Sequence, residues 1–356
     1  MKKVLALVLA LALTLGLVAC GGSASSTASS SAASTAAASS TAASSTAASG
    51  KKIKIGYDIY YLGNSWSVQL YQEFKWNAEN KFADKVDVTY VESEGDISKQ
   101  ISNIEDLIAQ GVDVIITTPN DATALNATLQ EARDAGIKVI LLCAGVDGDC
   151  YDTLITVDDK EFGRVGAQWL VDKLGGKGKI ICLNGISGVS VSEQRWEGAK
   201  EVFDANPGIE VLAAEDGKWD YATGKSVTSD LLAAYPEVDG VWSQGGSMTL
   251  GAIEAFQAAN RDLVPMTGED NNGLLKKWKE LGSDGIACAK PTWLSRVALE
   301  SAVAMMNGET VEKDQINPVQ TITTDELDKY VHPDLSDDIW CGTEMPEDVL
   351  KQIFQQ

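Results

Sequence analysis

From residue 53 onward, short apolar runs alternate with amphipathic stretches, and this alternation constrains the fold more than any other feature of the chain. The runs 112–117 and 138–143 are apolar at nearly every position, which is typical of parallel strands buried on both faces. Between them, residues 121–135 have helical spacing, and Asp96 is placed to cap a further helix. This repeated order of strand and helix predicts an α/β fold with right-handed crossovers.

The alternation runs through two successive series. The predicted strands are 53–60, 86–91, 112–117, 138–143, 179–183, 210–214, 240–243, 264–268 and 286–289, and the predicted helices include 66–82, 121–135, 160–174, 192–205, 222–235, 247–259 and 273–281. The roughly 300 residues after position 50 exceed what one hydrophobic core usually supports. We therefore predict two doubly wound parallel-sheet lobes. Ligands of such sheets bind beyond the carboxyl ends of the strands, so two facing lobes would share one cleft.

The N-terminal residues predict export from the cytoplasm. Two lysines precede an apolar run at 4–19. The end of this run and the residue after it form the motif Leu17-Val-Ala-Cys20. This arrangement is typical of a secretory signal and resembles bacterial lipoprotein signals, in which the cysteine becomes the first residue and carries acyl chains. The alternatives are an ordinary cleaved signal and a short buried helix, although so short a run spans a membrane poorly. We expect a signal peptide at 1–19, lipidation of Cys20, and a tether of Ser, Ala, Thr and Gly within 20–50.

Composition argues against several classes of function. Acidic residues outnumber basic ones by 51 to 29, so nucleic acid, which needs clustered Lys and Arg, is not an expected partner. The five cysteines after Cys20 are odd in number and irregularly spaced, which argues against a disulfide framework and leaves a Cys143–Cys150 pair open. Because His332 is the single histidine and no Cys-x-x-Cys occurs, we expect no metal and no cofactor. Catalytic triads and nucleotide-binding motifs are likewise missing from the sequence, so we expect no enzyme.

Short motifs occur in a fixed order along the chain. They are IKIGY at 53–57, NSW at 64–66, GVDVIITTPND at 111–121, AGIKVI at 135–140, GISG at 185–188, EQRWEG at 193–198, YPEVDGVWSQ at 235–244 and MTLGA at 248–252. Together their order and spacing resemble the ribose- and galactose-type sugar-binding proteins, the type I substrate-binding components of ABC importers. The resemblance covers nearly all of residues 52–325.

The resemblance implies a chain that crosses between its lobes three times, near Asp158, Lys290 and Asn317. The implied N-terminal lobe is 51–157 plus 291–316, the C-terminal lobe is 159–289, and 317–356 form the last crossing and a tail with a helix at 347–354. A monomer of this kind would capture a sugar or sugar-like solute by hinge closure and deliver it to ABC permease subunits at the extracytoplasmic face of the membrane. The alternative is a ligand sensor that presents its closed form to a chemoreceptor or sensor kinase.

Sugar recognition combines aromatic faces, which stack on C–H groups, with planar polar side chains, which bond hydroxyls in pairs. The resemblance implies that Trp66 and Trp219 are opposed rings and that Asp270 accepts sugar hydroxyls. Asn64 is either a ligand contact or a helix cap, and Asp270 can also cap the helix that follows it. The remaining ligand-binding candidates are Thr118, Glu193, Arg195, Gln244, Asn271 and Lys290.

Several positions depart from the family pattern. Glu193, with Arg195 two residues on, stands where the family often has an arginine, Gly245-Gly246 replaces an asparagine or aspartate, and Cys143-Ala144 replaces an Asp-Arg pair. These departures argue against ribose or galactose as the ligand. They remain compatible with another small polar ligand. A buried Glu193 would need a cationic partner, so we expect it to pair with Arg195 or Lys290 or to bind a ligand donor.

Overall fold

Two six-stranded sheets form the framework of the computed structural model, which describes residues 51–354. The first sheet contains β1 (Ile53–Ile59), β2 (Val86–Glu92), β3 (Val114–Thr117), β4 (Lys138–Leu142), β5 (Thr153–Val157) and β11 (Asp314–Asn317). Its strand order is β11-β5-β4-β3-β1-β2, and every neighbouring pair is parallel.

The second sheet repeats this architecture. It contains β6 (Gly178–Asn184), β7 (Ile209–Asp216), β8 (Gly240–Ser243), β9 (Met266–Glu269), β10 (Gly285–Ala289) and β12 (Gln320–Thr323). The strand order is β12-β10-β9-β8-β6-β7, in which only the edge strand β12 is antiparallel to its neighbour. The predicted fold class, two doubly wound α/β lobes, is confirmed.

Helices cover the faces of both sheets. They are α1 (Ser65–Asn80), α2 (Ile97–Gln110), α3 (Asn126–Asp134), α4 (Asp159–Lys173), α5 (Ser190–Ala205), α6 (Tyr221–Ala234), α7 (Gly246–Ala258), α8 (Asn272–Leu281), α9 (Leu294–Met306), α10 (Leu327–Tyr330) and α11 (Glu347–Phe354), with a 3₁₀ turn at Thr324–Glu326. Within 51–354, no helix has the length and apolar character needed to cross a membrane. The predicted signal peptide, lipidation site and tether lie outside the described residues.

Alternate residues of the central strands enter two different cores, which is why these strands are apolar throughout. In β3, Val114 and Ile116 join a core with α1 and α9, whereas Ile115 joins a core with α2 and α3. The second sheet has the same arrangement, since Ile181 and Cys182 of β6 enter separate cores. All five side chains are fully buried, so both faces of each sheet are covered, as expected of parallel sheets.

The chain passes between the sheets three times, from β5 to α4, from β10 to α9, and from β11 to β12. We call the first sheet with α1, α2, α3 and α9 the first lobe, and the second sheet with α4 to α8 the second lobe. Residues 324–354 follow the last crossing and end in α11, which occupies the predicted range 347–354.

Three strands and two helices, α9 and the short α10, were not predicted. β5, β11 and β12 are four or five residues long, and two of them lie at sheet edges, where one side of the strand stays polar. Helix α9 lacked any sequence assignment. The helix predicted at 121–135 begins only at Asn126, because the Asp121 carboxylate accepts bonds from the backbone N–H groups of Thr123 and Ala124 and holds a turn there.

Helices α4 and α5 approach so closely that glycine is required where they touch. A Cβ on Gly163 would lie 1.8 Å from the carbonyl oxygen of Arg195, and one on Gly198 would lie 1.9 Å from that of Lys160. No rotation of a side chain relieves a contact with backbone. The two glycines therefore fix the distance between these helices and, with it, the position of Arg195.

We predict that Gly163→Ala lowers the free energy of unfolding by about 1–3 kcal/mol, because the helices must separate to admit the methyl group. Gly166→Ala on the same helix is the matched control, since its Cβ would meet nothing closer than 3.5 Å. That control gains helix propensity and should be neutral or stabilising by about 0.5–1 kcal/mol. Urea denaturation measures both. Equal stability of the two variants would contradict the assigned contact.

Candidate functional site

A cavity of about 50 Å³ lies between the two lobes. Residues of both sheets' strand ends and of the C-terminal tail contribute to it. The lining residues are Tyr60, Asn64, Trp66, Thr118, Pro119, Cys143, Ala144, Val189, Val191, Arg195, Trp219, Glu269, Lys290 and Trp340. Several of them directly follow strands, among them Tyr60 after β1, Thr118 after β3, Cys143 after β4 and Lys290 after β10. The position agrees with the general rule for ligand sites in open α/β sheets.

Three tryptophans line this cavity. Trp66 lies in the first turn of α1, and its indole N–H donates to the carbonyl oxygen of Lys290 at 2.8 Å. Trp219 comes from the second lobe and Trp340 from the C-terminal tail. The indole nitrogen of Trp219 is buried and bonds no other described residue, so it is an unused donor in the wall of the cavity.

Trp219 fits into a slot that two glycines leave open. A Cβ on Gly185 would lie 2.2 Å from the indole ring, and a Cβ on Gly245 would lie 2.9 Å from it. The backbone of Trp219 has φ of 52°, in the left-handed region that side-chain-bearing residues rarely adopt. Such strain is found where the surrounding structure demands one orientation. The departure from the family pattern at 245–246 therefore has a steric reason.

Two cations and two carboxylates form a buried network at one side of the cavity. The Arg195 guanidinium donates from Nε to Asp159 at 2.9 Å and from Nη1 to Glu269 at 2.8 Å, and Lys290 Nζ donates to the second oxygen of Asp159. Each of the four residues is at most 5 % exposed. Burial would lower the pKa of Arg195, but Glu269 and Asp159 raise it overall. Burial raises the pKa of Glu269, and Arg195 opposes this shift.

The Arg195 side chain makes two further contacts. Its Nη1 also donates to the carbonyl oxygen of Gln244 at 2.8 Å, and its guanidinium carbon lies 3.6 Å from the centre of the Phe162 ring. The latter is a close cation–π contact. A guanidinium keeps its charge and has five N–H donors in a fixed geometry. It therefore suits a buried site whose geometry must stay fixed.

The two lobes touch each other beside the cavity. Ser190 Oγ at the start of α5 accepts from the backbone N–H of Gly145 and donates to the carbonyl oxygen of the same residue. Ala144 of the first lobe packs against Val189 and Val191 of the second. The lobes thus meet beside the cavity through one hydroxyl and a small apolar cluster.

The structure places six of the ten predicted ligand-binding residues at the cavity. They are Asn64, Trp66, Thr118, Arg195, Trp219 and Lys290. Asn64 has both roles considered for it, since its Oδ1 also accepts from the backbone N–H of Ser67 and caps α1.

The other four predicted residues do not line the cavity. Glu193 is exposed and accepts from the backbone N–H of Gly188, so the expected pairing with Arg195 or Lys290 is wrong. The physical reason is helical geometry: residues two apart in α5 point in different directions, and Arg195 takes Asp159 and Glu269 as its partners instead.

Gln244, Asp270 and Asn271 are buried behind the cavity wall. The Gln244 side chain donates to Asn184 and to the carbonyl oxygen of Ser192, so it ties the end of β8 to the end of β6 and to α5. Asn271, not Asp270, caps α8, as its Oδ1 accepts from the backbone N–H of Leu274. The Asp270 carboxylate accepts from the backbone N–H of Gly342 in the tail.

Sequence reasoning did not select Glu269 or Trp340 as site residues. Glu269 ends β9 and could have been found, because the last residue of a parallel strand points to the ligand edge. Trp340 lies in a tail without periodic pattern, and no local signal places it at a cleft. Cys143 also lines the cavity. Burial raises the pKa of its thiol to about 12, and all five described cysteines are free, so the Cys143–Cys150 pair that was left open does not form.

Comparisons with known proteins agree with this arrangement. The family described as periplasmic binding protein domain matches residues 55–310. A xylitol-binding protein of Mycolicibacterium smegmatis is 30 % identical, with 92 % of this chain and 87 % of that protein covered. A ribose import binding protein of Bacillus subtilis is 27 % identical, with 77 % and 88 % covered. Among solved structures, a Mycobacterium smegmatis protein in complex with β-D-fucofuranose has a TM-score of 0.73 at 27 % identity, covering 78 % of this chain and 93 % of that one.

The buried carboxyl of Asp270 leads to a prediction about pH. Burial, and then the charge of Glu269, raise the pKa of Asp270 to about 7. Since the folded pKa lies above the unfolded one, the folded state favours the protonated form, and stability is lost progressively as pH rises from about 4, the usual pKa of Asp, to about 7. We predict that Asp270→Asn removes this loss, so the stability of the variant relative to the unaltered protein increases from pH 5 to about pH 7, by at most about 1.4 kcal/mol per pH unit, and stays level above pH 7.

Chemical denaturation at several pH values tests this. Asp58 and Glu73 also have raised pKa values caused first by burial, but they are present in both proteins and cancel in the difference. Glu269 acts on Asp270 through its charge, so the difference reports the titration of this coupled pair. Replacing the exposed Asp262 by Asn serves as the control. Parallel stability curves for the unaltered protein and Asp270→Asn would show that this carboxyl does not titrate there.

Proposed function

Since this chain belongs to the family of periplasmic binding proteins, we propose that it captures a neutral sugar or sugar-like polyol between its lobes and delivers it to an ABC permease. In this proposal the protein acts outside the cytoplasm as a monomer, anchored to the membrane by lipid on Cys20. The xylitol- and ribose-binding relatives support the ligand class. The lining of the cavity, with three tryptophans beside polar side chains, supports it independently.

The buried charge network is the single observation that narrows the ligand. Arg195 and Lys290 are already paired with Asp159 and Glu269, so the ionised network carries no net charge. A charged ligand would enter a closed, low-dielectric cavity without an unpaired counter-charge, which is costly. Neutral hydroxyls, in contrast, need only the donors and acceptors that line the cavity. We therefore exclude sugar acids and amino sugars from the proposed ligands.

Hinge closure supplies the mechanism. A ligand that contacts Trp66 on the first lobe and Trp219 on the second makes both contacts only when the lobes are closed. Its affinity for the closed form therefore exceeds its affinity for an open form, and binding shifts the population towards closure. The closed surface is what a permease would recognise, and the chain itself needs no catalytic group for this task.

We predict that a thermal-shift screen of neutral pentoses, hexoses and polyols will find ligands, whereas the corresponding sugar acids and amino sugars will not bind. At a hundredfold excess over Kd a ligand adds about 2.7 kcal/mol of stability, which corresponds to roughly 5 °C in a domain of this size. Trp219→Ala should abolish the shift, because it removes the aromatic side chain that the second lobe contributes to the cavity. Trp169→Ala is the control, since Trp169 packs in a core of the second lobe. Binding of sugar acids alone would refute the charge argument.

The anchor can be tested separately. We predict that metabolic labelling with palmitate marks the protein in cells and that Cys20→Ala removes the label, because a lipidated chain carries its acyl groups on this cysteine. Cys341→Ala, at a free thiol in the described part of the chain, should keep it. Label that persists in Cys20→Ala would disprove lipidation at this position.

An importer and a sensor differ in which cellular process, uptake or transcriptional response, requires the protein. In an importer, deletion of the protein abolishes uptake of the radiolabelled sugar found in the screen. In a sensor, uptake continues and the transcriptional response to that sugar is lost instead. The proposal of delivery to a permease is refuted by the second result.

A further inference from the structure

The C-terminal tail contributes a side chain to the cavity. Residues 332–354, which we call the C-terminal strap, lie beyond the range 55–310 that matches the family. Trp340 is the one residue of the strap that lines the cavity, and it is only 4 % exposed. A large ring therefore reaches the cavity from a segment that lies outside the family match.

One face of α1 anchors the strap to the first lobe. Ser65, Gln69, Glu73 and Trp76 recur at spacings of three and four residues, so they share this face. The Gln69 amide donates to the carbonyl oxygen of Trp340 and accepts from its backbone N–H, both at 2.9 Å. Gln69 is fully buried. Its NH2 group also donates to Thr292, but its buried amide oxygen accepts from the strap, and losing that bond would be costly.

Two further contacts on α1 extend this anchor. The fully buried Glu73 carboxylate accepts from the backbone N–H of Glu344 at 2.8 Å and from the hydroxyl of Thr343 at 2.7 Å. Trp76 packs against an apolar cluster of the strap that includes Leu350. The strap is thus bound to the first lobe by buried hydrogen bonds as well as by apolar packing.

The second lobe binds the strap at the start of α8. The carbonyl oxygen of Asp270 accepts from the backbone N–H of Cys341 at 3.0 Å, and its carboxylate accepts from Gly342. The Asn272 side chain, fully buried, accepts from the backbone N–H of His332 and donates to the carbonyl oxygen of Ser336. Trp340 therefore sits in the short stretch where the strap passes from one lobe to the other.

The indole of Trp340 is fixed as well as its backbone. Its Nε1–H donates to Ser65 Oγ at 3.0 Å, in the same turn of α1 that carries Trp66. With the backbone bonded to Gln69 and the indole bonded to Ser65, the ring has little freedom to turn away from the cavity. A ring held in this way before the ligand arrives loses little conformational freedom on binding.

We propose that Trp340 is a ligand-contacting residue that helps to determine which neutral sugar the cavity accepts, and that the C-terminal strap holds it in place. This inference rests on the proposed sugar-binding function. A third aromatic wall encloses the ligand from the hinge side, where Thr292 donates its backbone N–H to the carbonyl oxygen of Gly342. It therefore restricts the substituents that a sugar ring can carry in that direction.

The test compares the purified protein with Trp340→Ala, Trp340→Phe and the control Trp169→Ala by calorimetric titration with the sugars and polyols that bind in the thermal screen. Trp340→Ala should raise Kd by about 10- to 100-fold, the equivalent of losing one buried aromatic contact, and should change the rank order of the ligands. Trp340→Phe should restore part of the affinity. Trp169→Ala, in a core away from the cavity, should bind as the unaltered protein does.

A variant that alters only the position of the Trp340 ring separates an effect on ligand contact from an effect on the stability of the protein. Ser65→Ala removes only the acceptor of the indole N–H, so the ring stays but is no longer fixed, and we expect a smaller loss of affinity with the same change in rank order. If Trp340→Ala does not fold, the rank order measured for Trp340→Phe and Ser65→Ala decides. Unchanged affinity and rank order in the folded Trp340 variants would overturn the inference alone. Failure of the unaltered protein to bind any neutral sugar or polyol would overturn the proposed function and this inference together.

Discussion

A buried network of two cations and two carboxylates joins the second lobe to the hinge. Its members are Asp159, Arg195, Glu269 and Lys290. Asp159 begins α4 directly after the first crossing, and Lys290 follows β10 at the second crossing, so their ion pair ties two hinge segments together. Removing one member of such a network leaves an uncompensated buried charge, which costs about 3–5 kcal/mol. The close approach of α4 and α5 at Gly163 places Arg195 where it can complete this network.

The apolar pattern of the chain was sufficient to predict the two lobes, because strands such as β3 and β6 are buried on both faces and leave no alternative to a layered α/β fold. The apolar pattern did not predict β11. The sequence of this strand, DQIN, is polar, and it forms a strand because it pairs with β5. Long-range pairing of this kind has no local signal. The family assignment, which rested on the order of motifs, is confirmed by the match to residues 55–310.

The site was less predictable, and α5 shows why. The buried positions of this helix include Val191, Ser192, Arg195, Gly198 and Ala199, which repeat at helical spacing. Arg195 falls on this buried face and Glu193 does not, so the periodicity itself distinguishes them. Asp270 and Asn271 could not be separated in this way, because either residue type caps a helix and only the observed bond to Leu274 shows which one does.

The strap bears on how such a cleft opens. When two lobes rotate about a hinge, atoms near the hinge move least, and the strap's carbonyl at Gly342 is bonded to Thr292, two residues after Lys290. The strap can therefore stay attached to both lobes while the contacts of Ser190 with Gly145 separate. Those contacts involve one hydroxyl and a small apolar cluster, whereas the strap is held by several buried hydrogen bonds. Opening should thus expose Trp66 and Trp219 to an entering ligand while Trp340 remains in place as the floor against which the lobes close.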